Sequence, residues 1–282
     1  MKRFLVATDL SARSDRALAR AAALAEEHDA HLTVVHVVDE DLLESAAEAQ
    51  ENAARTAIMA HIDSLTGGGK LDFSVNVVLG RAHAGIVEIA GQSGTDLIVL
   101  GMHRENVFED MFRGTTVERI IRAGSVPVLL VRDRVAGSYQ RIMVAVDFSL
   151  HSRRAVEFAT KFAPQAEIDL VHAYHVPFKG FIYGGGTDRE VREQHERQLQ
   201  KMIDEEMALF LADRGRETAR LKAVVLEGSP HEVIHQQVDR LQPDLLVVGT
   251  HGRTGVAHAV LGSVAEGLLN APPCDVLAIK AW

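Results

Sequence analysis

The sequence predicts an α/β fold built from two copies of one unit, each a parallel sheet covered by helices on both faces. Three observations carry the prediction. Short apolar runs alternate along the chain with longer segments whose apolar residues keep helical spacing. The runs are nearly continuous in Val, Ile and Leu, as expected of strands with both faces buried, and strand–helix alternation is solved most simply by a parallel sheet. The whole pattern then occurs a second time, at a nearly constant spacing.

The first strand, Phe4-Leu5-Val6-Ala7-Thr8, ends at Asp9, and Ser11 and Ser14 follow as helix caps. From Asp15 to His28 the residues Leu18, Ala21, Ala22, Leu24 and Ala25 keep one helical face. His31 to Val38 is the second strand. A long helix carries Leu43, Ala47, Ala54, Ile58, Ile62 and Leu65 on one stripe, and Gly67-Gly68-Gly69 stops it. Leu71 to Leu79 is the third strand, His83 to Gln92 a helix and Asp96 to Gly101 the fourth strand. Thr115 to Ala123 is a helix, and Val126 to Val131 the fifth strand.

After a charged connector ending at Gln140, Arg141 to Ser149 repeats the opening pattern of a strand ending in Asp and then Ser. Asp147 lies 138 residues after Asp9, and His172 lies 136 after His36. Gly228, His231, Asp244, Gly249 and Gly262 each lie 148 after Gly80, His83, Asp96, Gly101 and Gly114. So many anchors at one offset mark an internal duplication. The jump from 136 to 148 places an insertion after the second strand of the second half, around Phe178 to Gly186. That is either a tolerated surface insertion or an aromatic lid over a bound base.

Composition narrows the function classes. A chain of 282 residues suits two domains of about 140 each. Thirty Lys and Arg against thirty-nine Asp and Glu, net −9, argue against a nucleic-acid binder, whose affinity rests on cationic contacts to phosphates. Cys274 is the single cysteine, which rules out an intrachain disulfide framework and fits a reducing compartment. Met1-Lys2-Arg3 leads into only five apolar-leaning residues before Asp9, unlike a signal peptide, and no run is long enough to span a bilayer. A cytoplasmic protein without membrane or nucleic-acid partners is expected.

The stretch with the most chemistry in it runs from Val248 to Val264. An apolar run stops at Gly249, Gly252 follows, and after nine residues Gly262-Ser263-Val264 opens a helix. Glycines let backbone approach a ligand closely, and the free N–H groups of a helix start favour an anion such as phosphate. A Gly-rich turn alone is weak evidence; its position inside a duplicated unit strengthens it.

With these residues in view, each half resembles a universal stress protein domain, and the chain resembles the tandem members of that family. The family's nucleotide motif, G-x2-G-x9-G-[ST], is met at Gly249, Gly252, Gly262 and Ser263, and the strand-ending Asp9 and Asp147 match as well. The resemblance implies two open five-stranded parallel sheets of order 3-2-1-4-5, covered by helices on both faces and paired through their last strands as a pseudo-dimer. The same logic allows dimerisation of the whole chain. The implied layout is a first domain over residues 1–133, a linker over 134–140 and a second domain over 141–282.

The resemblance also implies ATP, with Mg²⁺, at the carboxyl edge of the second domain. Gly249 and Gly252 would let ribose and phosphates lie against the backbone, and Gly262, Ser263 and Val264 would meet the phosphates. Asp147 would face ribose and base, Val146 and Ala173 would flank the adenine, and Val248 belongs to the same binding set. In the first half, Asp9, Gly101, Gly114 and Thr115 persist, but Arg104 stands where the second glycine should be. Loss of ATP binding there is expected, with binding of a different anion through Arg104 as the alternative. His251 reads as a structural or surface residue, because its counterpart His103 persists in the damaged copy.

No nucleophile elbow, Walker lysine or Rossmann glycine pattern is present, and Ser263 has no evident paired base. His172 and His175 form an HxxH at a strand end, where they would not share a face, so no metal site is assigned. The leading expectation is an ATP-binding stress-response regulator or sensor. The alternatives are a weak ATPase or nucleotide-using enzyme of this fold, and a nucleotide-free, chaperone-like protein.

Overall fold

The computed structural model describes residues 1–67, 69–102, 115–175, 189–212, 220–252 and 261–280. The first half contributes β1 (Arg3–Ala7), α1 (Ala12–His28), β2 (His31–Val38), α2 (Glu44–Thr66), β3 (Phe73–Leu79), α3 (Ala82–Ser93), β4 (Leu97–Gly101), α4 (Thr116–Ala123) and β5 (Val128–Val131). The second contributes β6 (Arg141–Ala145), α5 (Leu150–Phe162), β7 (Glu167–Tyr174), α6 (Arg189–Leu211), β8 (Leu221–Glu227), α7 (Pro230–Leu241), β9 (Leu245–Gly249), α8 (Ser263–Asn270) and β10 (Asp275–Ile279). The elements fall where the periodicity puts them, with ends shifted by one to three residues.

Each half has the expected order 3-2-1-4-5, but the two sheets are continuous. One ten-stranded sheet runs β3-β2-β1-β4-β5-β10-β9-β6-β7-β8. Every neighbouring pair is parallel except β5–β10, which is antiparallel and forms the seam between halves. At the seam Leu129 faces Leu277, with Leu130 opposite Val276 and Val128 opposite Ala278. Leu277 lies 148 residues after Leu129, so the spacing that marks the duplication also maps the seam onto itself. A pseudo-two-fold axis passes between these two leucines.

The continuous apolar strands divide their side chains between two faces. Phe4, Val6, Val99, Val144 and Val247 pack under α1, α2, α5 and α6, while Leu5, Ile98, Met143, Leu246 and Val248 pack under α3, α4, α7 and α8. Successive strand residues point to opposite sides, so both layers are served by one apolar run. Strand starts are tied alike in both halves: Asp96 accepts the amides of Lys2 and Arg3, and Asp244 those of Gln140 and Arg141.

One arrangement at the seam has no sequence signature. Asp275, 1% exposed, accepts the Arg132 and Asp133 amides on one oxygen, at 2.8 and 3.0 Å, and the Tyr139 hydroxyl on the other, at 2.6 Å. The Arg20 guanidinium, buried on α1, stands 3.5 Å from that second oxygen and 4.4 Å over the Tyr139 ring, and donates to the Gly137 carbonyl. Burial and the Asp275 carboxylate push the Tyr139 phenol well above its ordinary range, so it stays a donor. The cluster ties α1 of the first half, the connector and β10 of the second. Beside it His28 lies between the rings of Phe4 and Phe162, 5.5 and 5.4 Å away.

Candidate functional site

The carboxyl ends of β6 and β9 diverge to leave a cavity of about 240 Å³ in the second half. In an open α/β sheet this is where neighbouring strands send their connections to opposite faces, leaving a crevice. Val146, Asp147, Ala173, Val248, Gly249, Gly252, Gly262, Ser263 and Val264 all line it. The structure therefore brings together all nine second-half residues expected to bind the nucleotide. It adds Ser152 at the start of α5, Pro230 and Ile234 on α7, and His251.

Local chemistry builds the walls. After β6 the chain turns through Phe148, whose φ of +61° is unusual for a residue with a side chain; Leu10 has the same φ in the first half. The Asp147 carboxylate holds this turn by accepting the Ser149 amide at 3.0 Å, as Asp9 does for Ser11. Ser149 then caps α5. The Phe148 ring is held by His172, 4.2 Å away, and by Phe210. His172 Nδ1 donates to the Val146 carbonyl at 2.8 Å, and His36 does the same for Thr8. These paired histidines fix the ends of the two central strands and are committed to structure.

The two leading glycines of the motif have reasons that differ from the expected ones. A Cβ on Gly249 would stand 2.9 Å from His151 Cβ and 3.2 Å from the Ser152 amide, so β9 ends against the first turn of α5. Gly101 meets the backbone of Arg13 in the same way, at 2.8 Å. Both glycines are thus packing requirements as well as cavity walls. Gly252 is absent from the positive-φ residues; its Cβ would instead meet Asp147 Oδ2 at 3.0 Å. The space kept open at Gly252 is the space in front of the carboxylate.

At the far wall Gly262 is the N-cap of α8, with φ −64° and no side-chain hydrogen bond to the helix start. Its amide donates to the Thr250 carbonyl at 2.9 Å, which draws the helix start to the end of β9. The opening N–H groups of α8 face the cavity uncapped, with the helix dipole behind them. No Lys or Arg is among the described lining residues.

The matching cavity in the first half is smaller, about 190 Å³, and is lined by Asp9 and Gly101. Val37, Leu100 and Val117 stand at the places of Ala173, Val248 and Ala265 and fill more of it. The helix start also differs. Thr115 is the N-cap of α4 and its hydroxyl accepts the Glu118 amide, so one of the orphan donors is already used. Burial raises the Asp9 carboxyl while hydrogen bonds from Ser11 and Ser14 lower it, and the net direction is down. Arg104, Gly114 and His103 lie outside the described residues, as does the segment from Phe178 to Gly186. Among the described residues no three metal-ligating side chains cluster, and no helix is long and apolar enough to cross a membrane.

His251, expected as a structural or surface residue, stands at the cavity. It lines the cavity, its Nδ1 lies 2.9 Å from the Thr250 hydroxyl, and its ring stands 5.0 Å from that of His151 on α5. His151 had no motif to betray it; its place four residues after Asp147, in the first turn of the following helix, was the available signal.

Comparison with known proteins agrees with this architecture. The sequence profile of the universal stress protein family matches residues 1–132 and again 138–280. A universal stress protein of Mycolicibacterium smegmatis is 28% identical over 303 residues, covering 98% of this chain and 96% of that one. The universal stress protein E homolog of Haemophilus influenzae is 25% identical, covering 99% and 97%. Among solved structures, a universal stress protein from Archaeoglobus fulgidus superposes with a TM-score of 0.68 at 18% identity, over 99% of this chain and 98% of that one, which speaks to the fold.

Proposed function

This chain belongs to the universal stress protein family, with two of its domains in tandem, and from that premise we propose that it is an ATP-binding regulator or sensor whose working site is the second-half cavity. The observation that carries the proposal is the pairing of an uncapped helix start with a carboxylate across one crevice. The N–H groups at Ser263 and Val264 suit phosphates, whereas Asp147 suits the hydroxyls of a ribose and would repel a triphosphate. That polarity orients a nucleotide, with Val146, Val248 and Ala173 left for the base. Mg²⁺ would travel with the phosphates, which supply most of its ligands.

The first half enters the proposal as a silent copy. Its helix start is capped by Thr115 and its base end is narrowed by Val37 and Leu100. A cytoplasmic setting goes with the same reading: the single cysteine is buried, and burial with the neighbouring Asp275 pushes its thiol up to about 12, so it carries no exposed thiolate chemistry.

The test is to denature the purified protein and identify any released nucleotide by mass, alongside titration of the nucleotide-free protein with ATP and a Gly252→Arg variant. Arginine there would set a guanidinium in front of Asp147 and fill the space kept open at Gly252. ATP recovered from wild type, bound without steady phosphate release and lost in the variant, supports the binder. Sustained phosphate release well above background would replace it with an ATPase. No nucleotide bound in either half would overturn it.

A further inference from the structure

We propose that His151 and His251 together form the phosphoryl-recognition element of the second-half cavity, taking up a proton as an anionic group seats at the start of α8. The proposal rests on the nucleotide reading and specifies how that site senses charge. Its geometric basis is the meeting of two imidazoles from different elements: His251 lines the crevice, and His151 stands against His251 from α5. His251 comes from the motif loop; its Cα is 3.8 Å from where a Cβ would stand on Gly262, the N-cap of α8. His151 comes from the first turn of α5, its ring 5.0 Å from that of His251 and tilted by 38°. The buried Thr250 hydroxyl, 2.9 Å from His251 Nδ1, orients the second ring.

The charge balance makes the pair responsive. A nucleotide phosphate brings negative charge to a wall whose described residues include no Lys or Arg. The groups facing His151 are His251, Asp147 and Arg154. Burial, then the His251 ring, and further Arg154, hold the His151 imidazole below its ordinary value, against the opposing pull of Asp147. The positive end of the α5 dipole works in the same direction. Without ligand His151 is therefore held toward its neutral form. A phosphoryl group beside the pair reverses the sign of the local field and stabilises imidazolium, which then serves as a cation of the site. Arg253 and His258, further along the motif loop, lie outside the described residues. In the first half Arg13 occupies the position of His151, so the imidazole pair belongs to the half with the complete motif.

The experiment is ATP affinity measured from pH 8 to pH 6 for wild type, His151→Asn and His251→Gln, with adenosine as a ligand that lacks the phosphates. Titration of ATP itself is common to all three proteins and cancels in the ratio of affinities. The ratio of wild-type to variant affinity should rise as pH falls, by up to about tenfold per unit for one linked proton. Calorimetry in buffers of different ionisation heat should show net proton uptake that shrinks in both variants. The imidazole resonances of wild-type protein at pH 7 should move toward the imidazolium position on adding ATP and stay in place on adding adenosine. A pH-independent ratio with unmoved resonances, in protein that binds ATP, overturns this inference alone. Failure of wild type to bind any adenine nucleotide overturns it together with the function proposed above.

Discussion

Replacing Asp275 with alanine removes, at one position, the acceptor for three donors and the counter-charge of a buried guanidinium. Two of the donors, the Arg132 and Asp133 amides, fix the chain as it leaves β5; the third is the Tyr139 hydroxyl. Among the described residues Arg20, 4% exposed, then keeps the Gly137 carbonyl and the Tyr139 ring as its partners. Breaking a buried ion pair from one side costs about 3–5 kcal/mol, because the remaining charge stays desolvated. The reverse deletion should be milder. In Arg20→Met the carboxylate keeps all three hydrogen bonds and the methionine fills most of the volume. Tyr139→Phe loses one charge-assisted hydrogen bond, about 1.5–3 kcal/mol, and falls toward the low end because the ring remains under the guanidinium. Urea unfolding followed by fluorescence and circular dichroism gives the three free energies. The expected order of loss is Asp275→Ala, then Tyr139→Phe, then Arg20→Met. An Asp275→Ala variant within about 1 kcal/mol of wild type would refute the account of the carboxylate as the knot of the seam.

Four further outcomes follow from other sites. Gly249→Ala drives a methyl to 2.9 Å from His151 Cβ and should cost about 1–3 kcal/mol in thermal unfolding. Gly262→Ser, in contrast, adds a helix cap and should leave stability unchanged or higher by a few tenths of a kcal/mol while weakening ATP binding by titration. Acid should destabilise the chain through His28. Burial, ahead of its charged neighbours, lowers the folded imidazole below 6.5, so the unfolded chain binds the proton more tightly. The stability that neutral His28 contributes is present above about pH 6.5 and is lost as pH falls below it, and His28→Phe should flatten that part of a stability–pH curve. At the two αL turns, Leu10→Gly should be neutral or stabilising, by up to about 1 kcal/mol, since Leu10 is 42% exposed and its φ is strained. Phe148→Gly should destabilise, because the relief of strain is outweighed by loss of the ring packed on His172 and Phe210. Chemical denaturation of both variants decides the comparison.

Much of this was legible in the residues because the underlying signals are local or repeated. Strand–helix alternation needs only neighbours a few positions apart, and the offset of 148 carried information about the seam before any pairing was known. The nine second-half site residues sit at strand ends and a helix start, which one unit's topology gathers at one edge. What was illegible depends on contacts without period or copy. Asp275 and Arg20 are far in the chain from each other and from Arg132 and Tyr139, and the four follow no spacing rule. Gly249 reads as a glycine kept for a ligand; that its missing side chain is also required by α5 was hidden, since nothing in a sequence tells which neighbour a bare Cα faces. The capping difference was hidden too. By spacing Thr115 matches Ser263, yet α4 begins at Thr116 and α8 at Ser263, so the hydroxyl that caps one helix lies inside the first turn of the other.

The antiparallel seam has a consequence for how the two halves can differ. Identical chains meeting across a two-fold axis must present the same residue on both sides, so any contact that works once has to work twice. Covalent joining removes that constraint while keeping the pairing geometry. Asp275 opens β10, and the residue related to it by the pseudo-axis is Pro127; Arg20 is answered by Phe158. A buried carboxylate and guanidinium therefore need a home on one side alone, and the other side closes with apolar groups. A symmetric assembly would have to desolvate two such pairs or none. Asymmetry at the seam is thus open to a tandem chain through single substitutions.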